Sequence, residues 1–317
     1  MNIFIAQNYG YFMITGSFKD LNLSLLLHTM FIKNNSLKSI FEYFAELLKN
    51  NYSEREIQLI AKSFIAKRLE VGASELMTDA GRRVSESDIL YFKKVTRQMR
   101  QGLPFQYALG ETYFYNISLR SDARALIPRP ETEELVNWVV EDNRGSNNLE
   151  IIDIGTGTGC IALSLKKALK GANITGIDRS IEALSLAREN ASDLNLEVDF
   201  KECDILNFEK YTLPDNLDII VSNPPYIPHS EKSEMHENVL DHEPGMALFT
   251  DNDTPLIFYE RIVDFGMKHL KKDGVIYFEI NENRGDDLKS LLNKKGCKDI
   301  QLRKDLQDKD RMIKCTI

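Results

Sequence analysis

A strand-like run from Leu217 to Val221, apolar apart from Asp218, stops abruptly at Ser222-Asn223-Pro224-Pro225-Tyr226. A side-chain amide, two successive prolines and a phenol at the end of a strand-like segment are groups suited to holding a planar –NH2 nitrogen. Such a nitrogen is a poor nucleophile because its lone pair is delocalised, so a catalyst must hold it in line with an electrophile and favour its rehybridisation. The Asn223 side-chain oxygen and a main-chain carbonyl, that of Pro224, can accept from both N–H groups at once. Pro225 drives Pro224 toward an extended backbone and stiffens the loop, and Tyr226 offers a flat wall. Orientation of this kind can recover about 7–11 kcal/mol of a barrier. No strong general base is required, because the alkylated nitrogen is acidic enough to lose its proton afterwards. A purely structural turn would explain the prolines but not the Asn and Tyr beside them.

Upstream, Asp153-Ile154-Gly155-Thr156-Gly157-Thr158-Gly159 sets a glycine at every second position where a strand gives way to a helix. Glycine lets the backbone approach a ligand closely, and the helix N-terminus offers free N–H groups. A dinucleotide fingerprint needs its third glycine at position 160, which is cysteine, so NAD and FAD are disfavoured. Asp178 ends the following strand, placed to accept both ribose hydroxyls of an adenosine. Its competing reading is a cap for the helix that opens near Ser180.

These groups need a scaffold, and the spacing of apolar residues indicates one. Leu37, Ile40, Phe41, Phe44, Leu47 and Leu48 recur at helical period. Ser53-Glu54-Arg55-Glu56 is a capping-box signature that opens a second helix through Ile65. A third helix spans about Glu86 to Gln101 and ends at Gly102-Leu103-Pro104. Residues 36–103 therefore read as a small helical bundle. Over 104–127 the period changes: Tyr113, Tyr115, Ile117 and Leu119 alternate before a turn near Ser121-Asp122, a hairpin between two domains. Pro130 with Glu131 and Glu133 suits a helix start running through Val140. From Leu149 strands and helices alternate, with strands at Ile151–Ile154, Ile174–Ile177, Leu217–Val221 and Val275–Ile280. Thr254-Pro255 reads as the N-cap and first residue of a late helix. The pattern predicts an α/β domain over 128–317, a parallel sheet with helices on both faces. Residues 1–35 show no sustained period and stay unassigned.

Composition narrows the classes. Of 317 residues, 43% are hydrophobic and 28% charged, an ordinary soluble balance. Residues 36–103 carry 12 Lys+Arg against 9 Asp+Glu, whereas residues 104–317 hold 26 against 38. That acidic excess argues against a surface that neutralises nucleic-acid phosphates. Cys160, Cys203, Cys297 and Cys315 show no metal-ligand or paired spacing, which indicates a reducing, cytoplasmic setting and buried thiols. Leu21 to Ile32 is too short and too interrupted to span a membrane.

The glycine loop resembles the D/E-x-G-x-G-x-G motif of class I S-adenosylmethionine-dependent methyltransferases over residues 149–317. The resemblance implies a Rossmann-like, mostly parallel seven-stranded sheet, S-adenosyl-L-methionine as cofactor and S-adenosyl-L-homocysteine as product. It further implies that Asp153, Gly155, Thr156, Gly157, Thr158 and Gly159 form the cofactor loop and that Asp178 holds the ribose. Asp204 would bind the adenine amine, Ile205 would pack on the ring, and Asn223 would face both cofactor and substrate. Asn-Pro-Pro-Tyr alone is shared by adenine-N6, cytosine-N4, guanine-N2 and protein-glutamine methyltransferases.

Ile127-Pro128-Arg129-Pro130-Glu131-Thr132-Glu133-Glu134-Leu135 is similar to a signature of the bacterial release-factor glutamine methyltransferases. Glu243-Pro244 with Ala247-Leu248, and Lys304-Asp305-Leu306 with Asp310-Arg311, match as well, so the likeness runs over about 36–317. It implies N5-methylation of the glutamine in the Gly-Gly-Gln motif of class 1 peptide chain release factors, with Asn223, Pro224, Pro225 and Tyr226 as the substrate site. Arg129 and Glu131 would lie near the entrance, and the helical domain would help recognise the release factor. A monomer with no nucleic-acid or membrane partner is expected. Glu279-Ile280-Asn281 departs from the family's usual Glu-Ile-Gly. Two alternatives stay open: a ribosomal-protein glutamine methyltransferase, in which the stretch at Pro130-Glu131-Thr132 usually differs, and a nucleic-acid exocyclic-amine methyltransferase.

Overall fold

The computed structural model describes residues 32–72, 75–76, 81–234 and 237–317. The extension assigned to 1–35 falls almost wholly outside the described residues. The chain divides into two compact units that part at Arg97/Gln98.

In the first unit, α1 (Leu37–Leu48) starts on Ser36 and α2 (Glu54–Leu69) on Ser53. The capping box is formed in full: Ser53 Oγ accepts from Glu56 N at 3.3 Å, and the Glu56 carboxylate accepts from Ser53 N at 2.7 Å. Such a cap contributes about 1 kcal/mol to a helix start. Of the residues at helical spacing, Leu37, Ile40, Phe44 and Leu48 on α1 and Ile57, Ile60, Phe64 and Ile65 on α2 are buried, whereas Phe41 and Leu47 are half-buried. The Phe44 and Phe64 rings lie 5.8 Å apart, and Phe92 of α3 (Glu86–Arg100) meets Phe44 edge-on.

The second unit opens with α4 (Phe105–Leu109) and a hairpin of β1 (Glu111–Phe114) and β2 (Ile117–Arg120). Its turn lies at Tyr115-Asn116, not near Ser121-Asp122, with Phe114 opposite Ile117. Both turn residues are left-handed, at φ 37° and 64°. A two-residue turn of that hand matches strand twist, and asparagine tolerates it. The alternation of apolar residues ran through the turn because Tyr115 is not a turn former.

One seven-stranded sheet follows: β3 (Glu150–Ile154), β4 (Asn173–Asp178), β5 (Asp199–Glu202), β6 (Leu217–Ser222), β9 (Leu270–Glu279), β10 (Lys298–Lys304) and β11 (Asp310–Thr316), in the order β10-β11-β9-β6-β3-β4-β5. Only β11 runs against its neighbours. Successive residues of a strand feed opposite faces. Ile151, Ile219 and Val221 join α5 (Pro130–Asp142), α6 (Cys160–Ala168) and α7 (Ile181–Leu194) on one side. Ile152, Ile154 and Ile220 join α10 (Ile257–His269) and α11 (Gly285–Lys295) on the other.

Between β6 and α10 lie β7 (Ile227–Pro228) and β8 (Phe249–Thr250), paired with each other, and the short α8 (Glu237–His242) and α9 (Gly245–Leu248). α10 begins at Ile257, two residues past the start read from Thr254-Pro255. Thr254 still takes part, accepting from Ile257 N through its main-chain oxygen in a turn tighter than α-helix. Asn281 replaces the glycine without a positive φ, and its Oδ1 accepts from Asn283 N at 2.9 Å. Cys203, Cys297 and Cys315 are buried, and all four cysteines are free thiols. Among the described residues no helix is long and apolar enough to cross a membrane.

Candidate active site

Strand order reverses between β3 and β6, and their register sets Ile154 beside Ser222. The glycine loop after β3 and the asparagine turn after β6 are therefore neighbours at the carboxyl edge of the sheet, where open α/β sheets bind ligands. Gly155, Gly157 and Gly159 hold φ values of 76°, 55° and 81°, which a side chain would strain. A Cβ on Gly159 would also come within 3.1 Å of Leu163 and 3.2 Å of Phe200, so α6 seats closely because that residue has none. Gly155 N and Thr156 N both donate to Ile177 O on β4, at 2.8 and 2.9 Å.

Asp153 is fully buried behind the loop. Its Oδ2 accepts from Thr156 Oγ1 at 2.6 Å and from Ala162 N at 3.3 Å, tying the loop to the first turn of α6. Burial outweighs these bonds and pushes its carboxyl up to about 7. Asp178 Oδ2 accepts from Gly157 N and its Oδ1 from Ser180 N, each at 2.9 Å, so one carboxylate braces both the loop and the start of α7. Burial raises it as well. Asp204 accepts from Leu206 N at 3.1 Å and Asn207 Nδ2 at 2.8 Å, capping the 3₁₀ turn Ile205–Lys210.

A cleft open to solvent gathers Gly155, Gly157, Asp178, Asp204, Ile205, Asn223, Pro224 and Pro225. Asp153, Thr156, Thr158, Gly159 and Tyr226 are not among its lining residues. Asp178 and Asp204 supply acceptors, while Ala183, Ile205, Phe258 and Ile262 supply apolar wall. Those acceptors and that wall suit an adenosine, a flat ring with hydroxyls at one end.

At the asparagine turn, Asn223 Nδ2 donates to Thr132 Oγ1 at 3.1 Å, and Thr132 Oγ1 donates to Glu279 Oε2 at 2.6 Å. The Tyr226 hydroxyl donates to Glu279 Oε1 at 3.3 Å. Glu279 ends β9 and is 1% exposed. Burial is the largest influence on it and pushes its carboxyl up to about 7, against the stabilising effects of Thr132, Arg311 and Tyr226. The same burial, reinforced by the nearby Glu279 charge, raises the Tyr226 phenol.

A family model described as a methyltransferase domain matches residues 145–308. A Flavobacterium psychrophilum protein named release factor glutamine methyltransferase is 38% identical, over 88% of this chain and 98% of its own length. Its namesake from Bacteroides thetaiotaomicron is 35% identical over 87% and 99%. The chain belongs to the release factor glutamine methyltransferases. The hMettl16 catalytic domain, solved in complex with the MAT2A 3′UTR hairpin 6, matches 74% of this chain and 84% of its own with a TM-score of 0.51 at 18% identity, a likeness of fold alone.

In this methyltransferase the two family-like stretches at Ile127–Leu135 and Glu243-Pro244 are bonded to each other. Arg129 Nη2 donates to both oxygens of Glu243, at 2.7 and 2.9 Å, and Ile127 N donates to Glu243 Oε2 at 3.2 Å. The Glu243 side chain is buried, and its neighbours Pro244, Met246 and Ala247 line the cleft, so this pair fastens one cleft wall to the segment before α5. Thr132 and Glu279 stand in the sequence only as members of family-like stretches, with no role at the site. A threonine in an otherwise acidic first helical turn, and a lone carboxylate closing the apolar strand Val275–Phe278, are the signals that could have found them.

Proposed function

We propose that the protein transfers a methyl group from S-adenosyl-L-methionine to N5 of the glutamine in the Gly-Gly-Gln motif of class 1 peptide chain release factors, releasing S-adenosyl-L-homocysteine. The observation that carries this reading is the pairing of Ile154 with Ser222, which sets an adenosine-compatible loop beside an amide-compatible turn in a chain of this family. Asp178 would hold the ribose, Asp204 and Ile205 the adenine, and Asp153 with Thr156 would keep the loop in shape from behind. Thr158 and Gly159 would serve the loop in the same way, through packing. When bound, the cofactor supplies an electrophilic methyl group on sulfur.

The chain's own residues orient the nucleophile. Asn223 Oδ1 and the Pro224 carbonyl accept from the two N–H groups of the glutamine amide, which favours rehybridisation of the nitrogen. Pro225 keeps that carbonyl in place, and Tyr226 walls the amide plane. The first compact unit, with its excess of basic residues, would help bind the release factor. The protein would act as a cytoplasmic monomer without nucleic acid as substrate.

Incubation with labelled S-adenosylmethionine tests the reading. A release factor should be labelled, and its Gly-Gly-Ala variant should not. Equal labelling of both, or labelling confined to a ribosomal protein, would sink it.

A further inference from the structure

A clamp for an –NH2 group works only if Asn223 turns its oxygen, not its nitrogen, to the substrate. Rotation of the amide by about 180° exchanges the two, and nothing inside the Asn-Pro-Pro-Tyr turn selects between them. The selection comes from another part of the chain. Thr132 Oγ1 has one proton, and at 2.6 Å that proton is committed to Glu279 Oε2. Toward Asn223, 3.1 Å away, the same oxygen can only accept, so the atom facing it is Nδ2 and Oδ1 is left to face away. Glu279 is itself held: Tyr226 donates to its Oε1 at 3.3 Å and the Tyr259 hydroxyl donates to its main-chain oxygen at 3.0 Å. Thr132 and Glu279 are 2% and 1% exposed, so water does not compete for these bonds.

We infer that Thr132 and Glu279 are positioning residues, a relay from Asn223 through Thr132 to the Glu279 carboxylate that keeps the clamp oxygen turned toward the substrate amide. The inference rests on the amide clamp proposed above. It gives work to a buried carboxylate that the transfer step does not otherwise use, and to a buried threonine in the first turn of α5.

The relay needs Glu279 as an acceptor. If Oε2 takes up a proton it can donate to Thr132, whose own proton then turns toward Asn223 and draws Oδ1 inward. The groups facing Glu279 are Thr132 and Glu131 of α5, Cys160 of α6, Tyr226 of the turn, Tyr259 of α10 and Arg311 of β11. Burial prevails over Arg311 and the two hydroxyls, so protonation falls at about 7: the clamp is set above that pH and released below it.

Thr132→Val keeps the shape and removes the hydroxyl. It should lower kcat about tenfold, the effect of one buried hydrogen bond, while S-adenosylmethionine affinity by calorimetry stays within about twofold. Thr132→Ser should restore most of the rate, and the acid limb of the wild-type pH profile near 7 should flatten in Thr132→Val. Wild-type kcat in Thr132→Val, or an unchanged acid limb, would overturn the relay.

A second readout needs no substrate. In protein labelled with [15N]asparagine, with Asn223 assigned by its loss in Asn223→Ala, the Nδ2 protons should exchange at least tenfold faster in Thr132→Val than in the wild type at pH 8. Equal exchange overturns the relay whether or not a release factor is methylated. A protected amide in an enzyme that ignores release factors would uphold the relay and overturn the substrate.

Discussion

The loop after β3 and the turn after β6 lie side by side, and each has a buried carboxylate behind it, yet those carboxylates reach their sites from very different distances along the chain. Asp153 bonds Thr156 and Ala162, three and nine residues away. Glu279 bonds Thr132, 147 residues away, and Tyr226, 53 residues away. The glycine loop is thus assembled by local chain geometry, with three left-handed glycines and a helix start. The turn is assembled by the sheet, which brings the ends of β6 and β9 beside the first turn of α5. A locally built site can be recognised as a motif. A site built by long-range packing shows only the part that is contiguous in sequence, here Asn-Pro-Pro-Tyr.

This contrast can be broken or sharpened by substitution. The largest effect is expected from Asn223→Ala, which removes the side-chain acceptor from the turn and leaves the glycine loop untouched. Losing one positioned hydrogen-bonding group of this kind costs roughly 10²–10³ in kcat. Rapid-mix assays should show that loss with S-adenosylmethionine affinity changed by less than about threefold. A fully active variant would remove the amide clamp, and a large loss of affinity would show that the two loops do not act separately.

Asp178→Ala should behave in the opposite way. It removes the proposed ribose acceptor and a brace for Gly157 N, and hydrogen bonds to charged groups contribute about 1.5–3 kcal/mol. Calorimetry should report cofactor affinity weakened about 10- to 100-fold, with kcat at saturating cofactor within about threefold. Unchanged affinity would deny Asp178 its role.

The smallest effect is on stability. Glu279 sits at about 7 in the folded chain against an ordinary value of 4.5, so between those pH values the native state holds a proton that the unfolded chain has released. Stability therefore falls as pH rises through that window, and Asp153, also near 7, adds in the same direction. Glu279→Gln should lose its share of this slope. Urea titrations should place the variant roughly 1–3 kcal/mol higher relative to wild type at pH 8 than at pH 5. The same slope in both proteins would mean that Glu279 is not the group that titrates.

Local order was readable wherever neighbours in sequence are neighbours in space. The Ser53 capping box, the Pro130 helix start, the alternating glycines and the acid ending β4 all stand where their residue types place them. Misreadings arose where a local signal had a competitor. Tyr115 prolonged an apolar alternation across a turn, and Thr254-Pro255 imitated a cap two residues ahead of the true helix start.

By itself the sequence determined the α/β class, the helical unit before it, the glycine loop and the Asn-Pro-Pro-Tyr turn, because each depends on backbone preferences and periodicities within a dozen residues. Only the tertiary structure decided that Ile154 pairs with Ser222, that Arg129 fastens Glu243, and that Thr132 and Glu279 stand behind Asn223. Those contacts join residues up to 147 apart, and strand order and helix packing, which no short window contains, bring them together.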